Sequence, residues 1–291
     1  MESWIKVNQM EKNMNDFKMG PIELEFESGM IHVIVGGNGS GKSTLFKQIM
    51  NLVTFDAGSI EVFGSNVAGE DEGWKKRIAY QPQTLVGCDE FTGRQLMQLI
   101  SPLYPNWNQS LFDDIARSLS VPLNKKFGKL SQGVQQKLAI ALTLARDTDI
   151  LLLDEPTSHM DIPAKSRVMD LFVEWMERGE KLIILSSHQT EDIRKLADYL
   201  LFMSNGKLHG KFVKDELVSS FKKYWLEKEL SSQIKLPGEI DRKNNRLIVT
   251  NDAEKAEAYL LSHKIGWIEA ESLEMDEVIS YMVVNKNGGV L

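Results

Sequence analysis

Cysteine is nearly absent from this chain of 291 residues, in which Cys88 is the only one. No intramolecular disulfide can form, and such scarcity is typical of proteins from a reducing cytosol. No uninterrupted apolar run approaches the roughly 18 residues that span a membrane, and residues 1–6 lack the charged-then-apolar pattern of a signal peptide. We therefore expect a cytoplasmic protein that would reach a membrane only through another chain.

Basic charge is also scarce, with 34 Lys and Arg residues against 41 Asp and Glu residues and a net charge of −7. Proteins that bind nucleic acid generally carry a basic excess, and the sequence has no dense Lys/Arg block that would bind anionic lipids. We expect no nucleic-acid partner. The content of 42% hydrophobic and 26% charged residues is that of an ordinary globular chain, long enough for about two domains.

A glycine-rich loop at residues 36–43, Gly-Gly-Asn-Gly-Ser-Gly-Lys-Ser, has the pattern of a phosphate-binding loop. The apolar run before it predicts a buried strand and the run after it a helix, which argues against an incidental glycine turn. Backbone N–H groups and the helix N-terminus would bind phosphates. Lys42 would reach the β- and γ-phosphates, and the Ser43 hydroxyl would ligate Mg²⁺. The residues of this loop predicted to bind a nucleoside triphosphate are Gly36, Asn38, Gly39, Ser40, Gly41, Lys42, Ser43 and Thr44. The loop alone leaves kinases, GTPases, helicases and transport ATPases open.

Two carboxylates, Asp154 and Glu155, follow an apolar run of four residues. Asp154, at the end of a buried strand, would bind the Mg²⁺ complex directly or through water. Glu155 would position the attacking water or act as its general base. The alternative, a strand that runs into an acidic loop, is less consistent with the phosphate-binding loop upstream.

Hydrophobic periodicity predicts the elements around these motifs. The predicted strands lie at 22–26, 30–35, 59–64, 149–154 and 181–186, and the predicted helices lie between 92 and about 145 and at 164–178. Apolar strands that alternate with helices indicate a parallel sheet covered on both faces. Residues 215–291 have no glycine loop and predict a small α+β unit with strands at 246–250 and 265–270 and helices at 253–262 and 273–284.

Four further segments follow in a fixed order along the chain. They are Tyr80-Gln81-Pro82-Gln83, Leu130-Ser131-Gln132-Gly133-Val134, Ser158-His159-Met160-Asp161 and Leu185-Ser186-Ser187-His188. Together with the phosphate-binding loop and the acidic pair, they resemble the nucleotide-binding subunit of an ATP-binding cassette (ABC) transporter. The resemblance covers residues 1 to about 215 and is specific, because all the elements occur in order.

The resemblance implies an α/β P-loop NTPase fold of the ABC ATPase type. This fold has a parallel-sheet core, an antiparallel β subdomain and a helical subdomain, here at about 84–146. The expected division is an ATPase domain at 1–214 and a C-terminal accessory or regulatory domain at 215–291.

The family's mechanism implies roles for several residues. Two subunits face each other head to tail around two MgATP, as a homodimer or a heterodimer. Ser131 and Gly133 would contact the γ-phosphate held by the other subunit, and Asp161 would communicate across the dimer. His188 would sense the γ-phosphate and orient water; the alternative is a strand-end histidine that caps the next helix. Gln83 would bind Mg²⁺ or water and couple the site to the membrane partner. The expected catalytic residues are Glu155, His188 and Gln83, and the expected Mg²⁺ ligands are Ser43, Gln83 and Asp154.

An aromatic residue upstream of the loop is expected to stack on adenine. Phe17 is the best-aligned candidate and Trp4 the alternative, although Phe17 could equally be a core residue.

Two residues depart from the family's Leu-Ser-Gly-Gly-Gln signature, in which Gln132 replaces the first glycine and Val134 the glutamine. Val134 cannot hydrogen-bond through its side chain, so a weaker dimer is expected. This altered signature and the segment Tyr104-Pro105-Asn106-Trp107-Asn108 resemble bacterial ABC-2 exporters, in which the ATPase is a separate polypeptide.

The resulting prediction is an ATP-hydrolysing subunit on the cytoplasmic face of the membrane that powers a separate transmembrane permease for export. The sequence does not indicate the substrate. Two other functions stay open, a soluble ABC ATPase that acts on ribosomes or DNA and a module that senses ATP without hydrolysing it.

Overall fold

The computed structural model describes residues 2–14 and 17–284 and divides into two compact units, Met1–Gly210 and Lys211–Leu291. In the first unit the strands are β1 (Ser3–Met14), β2 (Phe17–Glu27), β3 (Ile31–Val35), β4 (Ala57–Val62), β5 (Ser65–Asn66), β6 (Ile78–Gln81), β7 (Ile150–Asp154), β8 (Leu182–Ser186), β9 (Tyr199–Ser204) and β10 (Lys207–Val213), which crosses the division. The helices are α1 (Lys42–Ile49), α2 (Gly93–Ile100), α3 (Gln109–Ser118), α4 (Gln132–Leu144), α5 (Ile162–Met176) and α6 (Thr190–Leu196).

The central sheet has six strands in the order β10-β9-β3-β8-β7-β6. β3 runs parallel to both β9 and β8, and β7 runs parallel to both β8 and β6. Every residue of β3, β7 and β8 is buried, as expected of parallel strands covered on both faces. Helices α1, α4 and α6 pack against β7, β6 and β3, respectively. The predicted parallel core is therefore confirmed, and the carboxyl ends of β3, β7 and β8 lie side by side.

A second, antiparallel sheet has the order β2-β1-β4-β5. Inward residues of β1 and β2, including Ile5, Val7, Ile22 and Phe26, share one hydrophobic cluster with α1 and the central sheet. Burial of apolar surface contributes roughly 25 cal/mol per Å² to the free energy of folding. This cluster therefore stabilises the packing of the sheet against α1. The end of the β1–β2 hairpin, where Met14 pairs with Phe17, is thereby held beside the phosphate-binding loop.

Three helices, α2 to α4, make up most of the helical subdomain. Thr92 forms a capping box with Gln95 at the start of α2, and the Asn108 side chain caps α3. Ser131 occupies the N-cap position of α4, but its side chain accepts no capping hydrogen bond. The residue is exposed, and although serine is a favoured N-cap residue, Ser131 does not cap this helix through its side chain.

The second unit contains α7 (Lys214–Ser220), β11 (Lys222–Leu226), β12 (Glu239–Lys243), β13 (Leu247–Thr250), α8 (Ala253–Ser262), β14 (Trp267–Ser272) and α9 (Met275–Val284). Its antiparallel sheet has the order β12-β13-β11-β14. Successive β11 residues point to opposite faces. Tyr224 bonds to Glu257 of α8 at 3.0 Å, and Lys223 pairs with Glu277 of α9 at 2.6 Å. The two helices therefore cover opposite faces of this sheet.

Within the described residues, no helix combines the length and the hydropathy that crossing a membrane requires.

Candidate functional site

The phosphate-binding loop connects β3 to α1 and depends on its glycines. Gly39 and Gly41 have φ values of +77° and +109°, which favour glycine. A Cβ atom on Gly36 would lie 2.3 Å from the backbone carbonyl oxygen of Met203 on β9, so the loop fits against the sheet only with glycine there. Gly41 then serves as the N-cap of α1, and the first N–H groups of the helix point into the loop.

Lys42 is buried within this loop. Its Nζ donates to the carbonyl oxygens of Gly36 at 2.7 Å and Gly37 at 3.2 Å and lies 4.0 Å from Glu155 Oε1. Burial lowers the pKa of Lys42, while the charges of Glu155 and Asp154 oppose this change. These carboxylates favour the charged form of the Lys42 ammonium group. A charged ammonium group can bind an anion such as phosphate.

A cavity of about 540 Å³ opens beside the loop. Its lining residues are Met14, Phe17, Asn38, Gly39, Ser40, Gly41, Lys42, Ser43, Thr44, Gln83, Asp154 and Glu155. The structure therefore brings together most of the residues expected to bind nucleotide, metal and water. Such a volume accommodates a small-molecule ligand.

The two aromatic candidates differ in position. Phe17 is half-buried and lines the cavity, and a Cβ atom on Gly41 would lie 3.3 Å from its Cζ. Trp4 is buried in the antiparallel β region, where its ring lies 5.2 Å from that of Phe63, and it does not line the cavity. The geometry favours Phe17 over Trp4.

Asp154 and Glu155 lie at the carboxyl end of β7, where Ser186 of β8 joins them. Ser186 Oγ donates to Asp154 Oδ1 at 2.7 Å and accepts the backbone N–H of Glu155 at 2.9 Å. Glu155 has a φ of +49°, a left-handed conformation that costs on the order of 1–3 kcal/mol for a non-glycine residue. The hydrogen bond from the Glu155 N–H to Ser186 Oγ therefore fixes this backbone, and the Glu155 side chain lines the cavity wall.

His188 approaches the same carboxylate from the loop after β8. Its Nδ1 lies 2.9 Å from Glu155 Oε2, off the geometry of a hydrogen bond, and Oε2 accepts no hydrogen bond from the described residues. The imidazole is 63% exposed, whereas the glutamate side chain is 7% exposed. An acceptor oxygen with a titratable ring beside it can bind and orient a water molecule.

Gln83 lies on the exposed loop after β6 and lines the cavity. Its backbone carbonyl oxygen accepts a 2.7 Å bond from Gln136 of α4. The Gln136 side chain also accepts from Gln81 at 3.0 Å and reaches Ser158 Oγ at 3.5 Å. Gln136 thus connects the loop after β6 to α4 and to the turn after Glu155.

Ser131, Gly133 and Asp161 lie outside the cavity lining. A Cβ atom on Gly133 would lie 2.4 Å from the carbonyl oxygen of His159, so glycine allows the start of α4 to pack on the turn. The Asp161 side chain caps α5 through the Ala164 N–H at 2.8 Å. The three residues are therefore separate from the nucleotide cavity of the same chain.

No group of three or more His, Cys, Asp or Glu side chains suited to hold a metal ion occurs in the described part of the chain. A cation at the cavity would be held by mixed oxygen donors, the Ser43 hydroxyl, the Gln83 amide and the Asp154 carboxylate. Such neutral and anionic oxygens suit Mg²⁺, which usually takes few protein ligands and substrate phosphates.

Three residues at the site were given no role of their own by the sequence predictions. Met14 lines the cavity, Ser186 orients the acidic pair, and Gln136 bridges two loops. The position of Ser186, at the end of an apolar strand and within the predicted segment Leu185-Ser186-Ser187-His188, is a signal that could have identified its role. No local pattern distinguishes Met14 or Gln136.

The chain is similar to several known proteins. A sequence model of the family described as "ABC transporter" matches residues 19–158. The chain is 27% identical over 218 residues to the ABC transporter ATP-binding protein YtrB of Bacillus subtilis, covering 75% of this chain and 74% of that protein. It is 30% identical over 213 residues to the glutamate transport ATP-binding protein GluA of Corynebacterium glutamicum, covering 69% and 87%.

The structure resembles the solved ATP-binding subunit of an ABC transporter, with a TM-score of 0.66 at 21% sequence identity. The match covers 75% of this chain and 92% of that one. At this identity the likeness supports the fold, and the expected ABC ATPase fold is confirmed.

Proposed function

Because the chain belongs to the ABC transporter family and is an ATP-binding subunit with ATPase activity, we propose that it powers export through a separate transmembrane permease. The observation that carries the proposal is the cavity in which the phosphate-binding loop, Asp154 and Glu155 meet, with His188 touching Glu155. This arrangement suits hydrolysis of a bound triphosphate.

Nucleotide binding follows from the cavity lining. The loop N–H groups and Lys42 bind the phosphates, and Phe17 stacks on the adenine. Ser43, Gln83 and Asp154 line the cavity and would hold Mg²⁺, which would neutralise phosphate charge. Ser186 keeps Asp154 oriented by donating to Oδ1.

Hydrolysis requires an oriented water molecule. Glu155 Oε2 accepts a proton of that water, and the nearby His188 sets the direction of the carboxylate and contacts the γ-phosphate. Lys42 stabilises the negative charge of the phosphate oxygens. Because Lys42 and the backbone of Glu155 are held by buried hydrogen bonds, these two residues need little reorganisation before the reaction.

A second ATPase subunit completes the site. Ser131 is exposed at the start of α4 and lies outside the cavity lining of its own chain. In a head-to-tail dimer, Ser131 and Gly133 of one subunit contact the γ-phosphate held by the other, and Asp161 lies at the interface. The partner subunit is a second copy or a related chain.

The permease docks on the helical subdomain, where large apolar side chains are exposed. Val86 follows Gln83 on the loop after β6 and is 88% exposed, and Leu99 and Leu103 are 55% and 65% exposed. Contiguous exposed apolar patches mark protein–protein interaction sites, and we place the permease contact at these side chains. The chain is then held peripherally at the cytoplasmic face of the membrane.

Export is proposed from the segment Tyr104–Asn108 and its resemblance to ABC-2 exporters. Arg146 donates to Tyr104 OH at 3.1 Å, and Asn108 bonds to Ala145 through its backbone N–H at 2.8 Å. The segment therefore ties the α2–α3 connection to the end of α4. We assign residues 215–291 an accessory role, since the expected nucleotide-site residues all precede them.

An affinity pull-down from gently solubilised host membranes tests this function. The tagged full-length chain and its Glu155→Gln variant are compared with ATP present, and Lys42→Ala, which weakens ATP binding, is the matched control. Stoichiometric recovery of a polytopic membrane protein supports the proposal. Recovery with ribosomes, with nucleic acid or without any partner contradicts it.

A further inference from the structure

Asp192, on α6, accepts hydrogen bonds from two loop segments of the site. Its side chain is 1% exposed. Oδ2 accepts the Thr157 hydroxyl at 2.5 Å and the Ser187 hydroxyl at 2.9 Å. The two hydroxyls thus share a single carboxylate oxygen.

These hydroxyls belong to the segments that carry the two proposed water-orienting groups. Thr157 lies two residues after Glu155 in the tight turn that the Ser158 N–H closes onto the Glu155 carbonyl oxygen at 3.2 Å. Ser187 directly precedes His188 and accepts the backbone N–H of Gln189 at 3.0 Å. A shift of either segment would change the 2.9 Å contact between Glu155 and His188.

Lys165, on α5, compensates the buried charge. Its Nζ lies 3.0 Å from Asp192 Oδ1, as an ion pair outside hydrogen-bond geometry, and 3.1 Å from Glu191 Oε2. It also donates to Gln189 Oε1 at 2.7 Å. With Thr157 and Ser187 only 3% and 1% exposed, water cannot readily replace these bonds. Hydrogen bonds to a buried charged acceptor are short and strong.

We propose that Asp192 is a positioning residue for ATP hydrolysis, which sets the distance between Glu155 and His188 by binding Thr157 and Ser187 together. Its side chain is not among those that line the nucleotide cavity. This inference rests on the proposed roles of Glu155 and His188. A purely structural ion pair would instead affect folding without changing turnover of the folded enzyme.

Paired substitutions at Thr157 test the proposal in the full-length chain. Thr157→Val removes the hydroxyl at nearly constant volume, and Thr157→Ser keeps it. We expect Thr157→Val to lower the single-turnover hydrolysis rate about tenfold, while ATP affinity stays within about twofold, because the phosphate-binding loop is unaltered. Thr157→Ser should stay within about twofold of the wild type. Ser187→Ala, run in parallel, removes the other hydroxyl and should reproduce the slow rate.

A double-mutant cycle with His188→Ala separates positioning from a general structural effect. If Thr157 acts through the Glu155–His188 contact, Thr157→Val should lower the rate by less than about twofold in the His188→Ala background. An equal loss in both backgrounds overturns the proposal. So do unchanged rates for folded Thr157→Val and Ser187→Ala, or a Thr157→Ser variant as slow as Thr157→Val.

Glu155→Gln distinguishes failure of this inference from failure of the proposed function. If Glu155→Gln is slow while the Thr157 and Ser187 variants are unaffected, only the role of Asp192 is wrong. If Glu155→Gln itself turns over normally, the proposed roles at the site are wrong as well.

Discussion

His188 Nδ1 lies 2.9 Å from Glu155 Oε2, although the two residues follow different strands, β8 and β7. The contact exists because these strands are parallel neighbours, with Asp154 paired to Ser186. Two groups suited to orient water are therefore held at one edge of the sheet.

Glu155→Gln should bind ATP and hydrolyse it at least about tenfold more slowly, because the amide cannot accept the proton of the attacking water. The measurement is steady-state phosphate release together with ATP affinity by fluorescence. Glu177→Gln, on the exposed end of α5, serves as the matched control. A loss smaller than tenfold would remove Glu155 from this role.

Phe17→Ala should weaken ATP binding about tenfold, since stacking of a base on an aromatic ring is worth roughly 1–3 kcal/mol. Phe17→Trp should keep most of the affinity. Trp4→Phe, in the buried β region, is the control and should bind ATP normally. Equal affinity of Phe17→Ala and the wild type would make Phe17 a core residue only.

Val134→Gln should strengthen ATP-driven dimerisation about fivefold, as one restored hydrogen bond is worth about 1 kcal/mol. Val134 lies half-buried in the first turn of α4, where a longer polar side chain has access to solvent. Analytical ultracentrifugation with ATP in the Glu155→Gln background measures the effect. Unchanged dimerisation and turnover would contradict the expected weakness of the altered signature.

Gln136→Met should loosen the loop after β6, because it removes the bonds to the Gln83 carbonyl oxygen and to Gln81. The unsatisfied buried groups should lower the free energy of unfolding by about 1–3 kcal/mol. Amide hydrogen exchange at residues 81–85 should become faster. Gln135 donates instead to the carbonyl oxygens of Phe127 and Leu130, so Gln135→Met should leave this exchange unaltered.

Asp161 should stabilise the protein in a pH-dependent way. The hydrogen bond from the Ala164 N–H and the charge of Lys137 lower its pKa. A lowered pKa means that this stabilisation is present above the unfolded-state pKa and is lost as the pH falls through the folded-state pKa.

At neutral pH, Asp161→Ala should therefore have a lower melting temperature than Asp161→Asn, which keeps a capping oxygen. The difference between the wild type and Asp161→Asn should narrow below about pH 4. Thermal melts across this range measure both effects, and a difference independent of pH would argue against the charge.

The local motifs and most element positions were predictable because each depends on neighbouring residues. Alternation and apolar runs identified β3, β7, β8 and α8. β1 was not predicted individually, since register shifts between Val7 and Met10 and between Met10 and Lys12 interrupt its alternation. Residue type favours Ser131 as an N-cap, but it does not determine the rotamer, and the hydroxyl makes no capping hydrogen bond.

The amino-acid sequence by itself determined the phosphate-binding loop, the acidic pair and the family, because these are encoded in contiguous residues with fixed spacing. Only the tertiary structure decided which distant side chains meet them. Gln136 reaches a carbonyl 53 residues away, and Thr157 reaches Asp192 across 35 residues. Such contacts depend on strand order and helix packing, and a buried polar group takes whichever partner the fold brings within hydrogen-bonding distance.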